Sequence, residues 1–101
     1  MAGYTKVAVL EEIPEGAARA VEAGGTAFAL YNVGGRIYAT RNTCPHRGGP
    51  LGEGDLDAAV ITCPWHGFRF DVTSGACLTN PALALGCVAV RIEGRDVLVD
   101  L

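Results

Sequence analysis

Two similar stretches decide how this chain folds: Cys44-Pro45-His46-Arg47-Gly48-Gly49-Pro50-Leu51 and Cys63-Pro64-Trp65-His66-Gly67-Phe68. Each stretch carries one cysteine and one histidine, spaced C-x-H in the first and C-x-x-H in the second. Glycine and proline at this density predict short loops rather than regular elements. The sequence therefore predicts that two loops, each with one thiol and one imidazole, form the centre of the molecule.

Two thiolates and two imidazoles form the ligand set of a metal site. Zinc is the commoner user of such a set, but zinc loops usually place two cysteines in one loop and two histidines in the other. Here each loop carries one of each, which suits a diiron cluster in which one iron takes both sulfurs and the other both nitrogens. A structural zinc module that mediates protein contacts is the alternative of a different class.

The chain resembles the Rieske family, and more closely its small soluble ferredoxins. The resemblance covers nearly the whole chain and rests on CPHRGGPLGEG at 44–54, VITCPWHGFRFD at 60–71 and TSG at 73–75. It implies one Rieske-type 2Fe-2S cluster, with the inner iron held by Cys44 and Cys63. The outer iron would be held by His46 and His66, the only histidines in the chain. These four residues are the predicted cofactor-binding and metal-ligating set, and no catalytic residue is predicted.

At 101 residues the chain is expected to form one domain, 1–101, with the cluster loops within 41–71. Strand-like segments at short intervals predict an antiparallel all-β protein. The resemblance implies a Rieske-like β-sandwich with a small cluster-binding subdomain that carries the two loops. Segment 17–23 has helical propensity, but the following Gly24-Gly25 turn favours a strand. The predicted strands are 4–10, 17–23, 26–33, 36–40, 58–62, 68–72, 87–93 and 96–101, with Glu53, Asp55 and Asp57 in a solvated turn.

Composition limits the classes of partner and the cellular setting. The net charge of −3 argues against nucleic-acid binding. The sequence lacks a run of 18 apolar residues and a visible secretory signal, so we expect no membrane span and a cytoplasmic location. In a reducing cytoplasm Cys77 and Cys87, outside the two stretches, are expected to be small buried hydrophobic residues rather than a disulfide.

The sequence departs from the respiratory branch of the family at informative positions. Those proteins carry an extra cysteine in each loop, joined as a disulfide, where this chain has Gly49 and Trp65. They also place serine and tyrosine hydroxyls near the cluster sulfurs, where this chain has Phe68 and Phe70. Fewer hydrogen bonds leave the reduced cluster less stabilised, which predicts a reduction potential at the low end of the Rieske range. Pro81 resembles the proline-containing segment that covers the cluster, or it is an ordinary loop proline.

The resemblance implies a soluble one-electron carrier rather than an enzyme, because both histidines are used as ligands. Its partners would be a flavin-dependent ferredoxin reductase and a terminal, aromatic-ring-hydroxylating oxygenase, and we expect a monomer. Arg41, Arg47 and Arg69 lie close to the ligands in the sequence. They are either ordinary exposed charges, which is the default interpretation, or a group that steers docking onto an acidic partner. The alternatives are the small Rieske-like subunit of an assimilatory nitrite reductase and a redox-sensing regulator that uses the same cluster.

Overall fold

The computed structural model describes residues 3–44, 49–65 and 67–100, and in these ranges regular structure is almost entirely β. Two single 3-10 turns, Leu10–Glu12 and Leu51–Glu53, interrupt the strands. Every strand pairing is antiparallel, which confirms the predicted fold class. The strands are β1 (Tyr4–Val9), β2 (Ala18–Ala23), β3 (Thr26–Val33), β4 (Arg36–Arg41), β5 (Asp55–Asp57), β6 (Val60–Thr62), β7 (Arg69–Asp71), β8 (Cys87–Val88), β9 (Val90–Glu93) and β10 (Asp96–Asp100).

The described strands form three sheets. The central sheet has the order β2-β3-β4-β8, the terminal sheet the order β1-β10-β9, and the loop sheet the order β5-β6-β7. The terminal sheet packs on one face of the central sheet, and the loop sheet contributes to the core on the opposite face. The structure thus confirms a sandwich with a small subdomain that carries the two loops.

Strand β3 shows how one sheet serves two cores. Successive side chains of a strand point to opposite faces, and β3 is buried on both. Phe28 and Leu30 point into the sandwich core, which consists of Ala8, Ile13, Phe28, Leu30, Ile37, Ala39, Val97 and Val99. Ala29 and Tyr31 point into the loop-side core, which consists of Ala29, Tyr31, Cys44, Leu51, Ile61, Cys63, Phe70, Val72, Cys77 and Leu85.

Two glycine pairs set the register of the central sheet. Gly24 and Gly25 both have positive φ, as do Gly34 and Gly35, which is the backbone that a two-residue hairpin turn requires. The first turn pairs Ala23 with Thr26 and makes 18–23 a strand, so turn chemistry overrides helical propensity as predicted. The second turn delivers β4, and the chain then enters the first loop.

The structure differs from the predicted elements in three places. The acidic stretch forms β5, because Leu56 packs against the loop-side core while Asp55 and Asp57 stay exposed. Ala58, with φ of 53°, lies in the turn before β6, so that strand begins at Val60 rather than at 58. The predicted strand 87–93 is divided, since β8 pairs with β4 whereas β9 pairs with β10. Among the described residues no helix is long and apolar enough to cross a membrane.

Candidate metal centre

The two predicted ligand loops are the tips of two β-hairpins with the same closure. In the first, Thr43 pairs with Pro50, and the N–H of Cys44 donates to the carbonyl of Gly49 at 2.9 Å. In the second, Thr62 pairs with Arg69 at the β6–β7 junction, and the N–H of Cys63 donates to the carbonyl of Phe68 at 2.8 Å. Each cysteine is therefore the first residue of its tip.

The structure buries both predicted sulfur ligands in the same core. Cys44 is 1% exposed and Cys63 is 3% exposed, and both belong to the loop-side core. The two predicted nitrogen ligands, His46 and His66, lie outside the described residues. The part of the chain that the structure describes contains no group of three or more His, Cys, Asp or Glu side chains able to hold a metal ion. The structure thus brings together the cysteine half of the predicted ligand set.

Gly49 is the point where the two loops touch. A Cβ atom at this position would lie 2.7 Å from Cys63 Sγ and 3.1 Å from Cγ of the Trp65 ring. Gly49 also accepts the hydrogen bond from Cys44, so one residue contacts both cysteines' loops. Only glycine allows the first loop to approach the second sulfur this closely. The structure describes all four cysteines of the chain and joins none of them in a disulfide.

The other glycines near the loops have different physical reasons. Gly67 has a φ of 71° and donates its N–H to the Cys63 carbonyl at 3.1 Å, so the turn needs it for backbone conformation. A Cβ on Gly52 would lie 2.6 Å from the Ala20 nitrogen, and one on Gly54 would meet the Thr62 carbonyl. These two close approaches attach the first loop to β2 and β6. The sequence did not predict that glycine is needed at these positions. Gly48 lies outside the described residues.

Phe68 and Phe70 line the second loop with apolar surface. Phe70 is fully buried in the loop-side core, and Phe68 packs against that core half-buried. Neither ring carries a hydroxyl that could donate to a cluster sulfur. The apolar lining of the second loop therefore agrees with the argument for a low reduction potential, which stays a prediction.

A segment that follows β7, residues 78–83, is attached to the exit of the second loop. The N–H of Leu78 donates to the Arg69 carbonyl at 2.8 Å, and the N–H of Arg69 donates to Thr79 Oγ1 at 3.0 Å. Leu83 packs half-buried against the loop-side core, whereas Pro81 is exposed in a turn. The covering role of Pro81 stays a prediction. Cys77, just before this segment, is buried as predicted, but Cys87 is exposed, so that expectation was wrong.

A buried chain of hydrogen bonds supports the strand that enters the first loop. Tyr31 and Thr40 share a hydrogen bond of 2.9 Å, and Thr40 Oγ1 donates to the Arg41 carbonyl at 2.9 Å, so the tyrosine hydroxyl is the donor to Thr40. Burial raises the pKa of Tyr31 well above its usual value. Tyr31 was expected to be a core residue, and the sequence carried no signal for this pairing.

Two arginines and one aromatic ring are exposed next to the two loops along the chain. Lys6, Arg19, Arg91 and Arg95 each form an ion pair with an acidic side chain. In contrast, Arg41 and Arg69 are exposed and form no ion pair with any described residue. Trp65, at the tip of the second loop, is 57% exposed. Arginine and aromatic side chains are enriched in surfaces that bind other proteins, and these exposed groups have that composition.

The described residues fit a 2Fe-2S cluster. Two buried cysteines in one packed core can supply thiolate ligands, and each donates its backbone N–H to the carbonyl that closes its loop. Because Gly49 has no side chain, Cys63 Sγ and the Trp65 ring can pack directly against the backbone of the first loop. The chemistry of the donor set and the shape of the loops therefore agree.

Comparisons with known proteins point to one family. The model of the Rieske [2Fe-2S] domain matches residues 3–91. The ferredoxin component of a naphthalene 1,2-dioxygenase system from Pseudomonas aeruginosa is 43% identical, over 91% of this chain and 89% of that protein. A solved complex of oxygenase and ferredoxin in carbazole 1,9a-dioxygenase contains a chain with a TM-score of 0.88 and 36% identity, over 96% of this chain and 92% of the other.

A putative nitrite reductase small subunit from Mycobacterium tuberculosis has a TM-score of 0.88, over 100% of this chain and 96% of the other. Its identity is only 18%, so this likeness concerns the fold alone. The family match and the ferredoxin relatives assign one Rieske-type 2Fe-2S cluster and the role of a one-electron carrier rather than an enzyme. The chain therefore belongs to the Rieske [2Fe-2S] family.

Proposed function

We propose that this chain carries single electrons from a flavin-dependent reductase to a terminal oxygenase that hydroxylates aromatic rings. The observation that supports this most is the likeness, over nearly the full length of both chains, to a ferredoxin solved together with an oxygenase. The relative from a naphthalene 1,2-dioxygenase system supports the aromatic class of substrate. We also propose that residues 1–101 form one domain that acts as a monomer in the cytoplasm, without binding nucleic acid or membrane.

We propose Cys44 and Cys63 as the ligands of the inner iron, and His46 and His66 as the ligands of the outer one. When bound, such a cluster accepts and releases one electron at about −150 to +300 mV. Burial keeps both cysteine side chains away from water, and a backbone hydrogen bond holds each cysteine at the start of its loop. This arrangement supports a carrier because the second loop, whose first residue is buried Cys63, also presents the exposed ring of Trp65.

The ligand assignment is tested by removing one thiol at a time. We expect Cys44→Ala and Cys63→Ala each to abolish the visible absorption and the iron content of the purified protein. Cys87→Ala is the matched control, because Cys87 is exposed on β8 and belongs to neither loop. A Cys63→Ala protein that retained full iron content would contradict the assignment.

Docking is proposed to use the basic surface beside the loops. Arg69 follows the second loop, and its charge is not neutralised by a described acidic group, so it is available to an acidic partner. Such steering weakens as salt rises, because the Debye length falls from about 10 Å at 0.1 M to about 3 Å at 1 M. The matched control is Arg36, which is exposed at the β3–β4 turn, at the opposite end of β4 from the first loop.

The function is tested by reconstitution with a flavin-dependent NADH reductase and an aromatic-ring-hydroxylating oxygenase. We expect hydroxylated product only when the chain is present, and a lower transfer rate for Arg69→Gln than for Arg36→Gln at low salt. Equal transfer rates for the two variants, or a transfer rate that does not change with salt, would contradict the proposed steering surface. The alternative function is the small subunit of a nitrite reductase, whose fold is similar. Failure to support turnover, combined with stable co-purification with a nitrite reductase large subunit, would favour that alternative.

A further inference from the structure

Cys77 is a buried thiol that the ligand set does not use. It is 6% exposed and belongs to the loop-side core, the same packed group that contains Cys44 and Cys63. An isolated antiparallel bridge pairs it with Phe70 on β7, the strand that leaves the second loop. Its place in the fold is therefore next to the cluster-binding subdomain, although it lies outside both ligand stretches.

The sulfur of Cys77 has a specific hydrogen-bond partner. The backbone N–H of Asn80 donates to Cys77 Sγ at 3.2 Å. Asn80 in turn holds the rest of the 78–83 segment: its side-chain Oδ1 accepts from Ala82 N–H at 3.0 Å, and its carbonyl accepts from Leu83 N–H at 3.0 Å. The thiol is thus the first acceptor in a nested turn, and its loss would loosen the hydrogen bonds that follow.

We propose that Cys77 is a positioning residue: by accepting the Asn80 N–H, it holds the 78–83 segment against the exit of the second loop and helps to set the reduction potential. The link to the loop is through Arg69, whose carbonyl and N–H both bond this segment. Arg69 directly follows Phe68, whose carbonyl closes the second loop onto Cys63. A movement of the segment is therefore transmitted to a proposed ligand through consecutive hydrogen bonds.

The direction of the effect follows from the charge of the cluster. Reduction adds one negative charge, and water stabilises that charge better than an apolar lining does. A loosened segment admits water near the second loop, so losing the acceptor shifts the potential upward. The inference rests on the proposed function, since it concerns the potential of the proposed centre.

Three substitutions at one position separate the hydrogen bond from the packing. Cys77→Val fills the apolar space but offers no acceptor, Cys77→Ser offers an oxygen acceptor in a smaller side chain, and Cys77→Ala offers neither. Cys87→Ala is the control for loss of a non-ligand thiol. The measurements are the midpoint potential of the holoprotein and the amide hydrogen-exchange rates at Asn80, Ala82 and Leu83.

We expect Cys77→Val and Cys77→Ala to shift the potential upward and to speed exchange at Asn80 by about two- to tenfold, the loss of one modest hydrogen bond. Cys77→Ser is expected to stay near the wild type in both measurements.

The inference is overturned if the changes follow side-chain volume, with valine near the wild type and serine shifted, or if all potentials agree. If the Ala variant does not fold, the Val and Ser variants still decide. A wild-type protein without a reversible potential would contradict the proposed function, while the exchange rates would still test the role of Cys77.

Discussion

The sandwich core and the loop-side core lie on opposite faces of β3, and they differ in chemistry. The sandwich core is formed by aliphatic side chains and one phenylalanine. The loop-side core contains three cysteines and the hydroxyl of Tyr31 among its apolar residues. Because the two cores share one sheet but not their side chains, stability can depend mainly on the sandwich core while the redox centre depends on the loop-side core.

The largest effect on stability is expected from the sandwich core. Leu30 is fully buried there, so Leu30→Ala should lower the free energy of unfolding by about 2–5 kcal/mol, through lost burial and the cavity left behind. Chemical denaturation of the holoprotein measures this. The visible spectrum of the folded variant should be unchanged. Leu78→Ala is the control, because Leu78 is 55% exposed. A folded Leu30→Ala protein with an altered cluster spectrum would mean that the two faces are not independent.

In the loop-side core, adding one methyl group should reduce cluster binding more than it reduces stability. Gly49→Ala would place a methyl group against Cys63 Sγ, an overpacking expected to destabilise the protein by about 1–3 kcal/mol. Because the clash falls on a proposed ligand, we expect iron content per chain to fall more than the melting temperature suggests. Gly86→Ala is the matched control, since its Cβ would meet only Arg41 Cγ at an ordinary 3.7 Å. Full iron occupancy in Gly49→Ala would argue against the close approach of the loops.

A smaller effect is expected from the hydroxyl of Tyr31. Tyr31→Phe removes one buried hydrogen bond with Thr40, a loss of about 1 kcal/mol at neutral pH. Burial raises the pKa of Tyr31 in the folded state, so its contribution is present below the unfolded pKa of about 10 and is lost as pH rises. Stability curves from pH 8 to 11 should therefore fall less steeply for the variant than for the wild type. Parallel curves would contradict this.

The smallest effect is expected at the turn after β7. Asp71 accepts hydrogen bonds from the hydroxyl of Thr73 at 2.6 Å and from its N–H at 2.9 Å, and these hold the pKa of Asp71 below its usual value. The stabilisation is present above the unfolded pKa of about 4 and is lost as pH falls. Asp71→Asn should therefore flatten the acid limb of the stability curve between about pH 5 and 3. An unchanged acid limb would show that the turn does not depend on the carboxylate.

Local chemistry explains which parts could be predicted from sequence. The Gly24-Gly25 and Gly34-Gly35 pairs predict two-residue hairpin turns, and the positions of β2, β3 and β4 follow from these turns. Spacing and residue type were enough to predict the two loops and their cysteines. In contrast, the change of sheet at Ala89 and the contact of Gly52 with β2 depend on which distant strands meet. The hydrogen bonds of Tyr31 and Cys77 are likewise non-local or depend on side-chain direction, and neither leaves a pattern in the sequence.

An anaerobic redox titration of the purified holoprotein tests the central claim most directly, that two cysteines and two histidines hold one 2Fe-2S cluster. We expect a single reversible one-electron transition near the lower end of the range from about −150 to +300 mV. A midpoint near −400 mV, typical of all-cysteine plant-type clusters, would contradict the histidine ligands. A colourless protein with no transition would contradict the cluster itself.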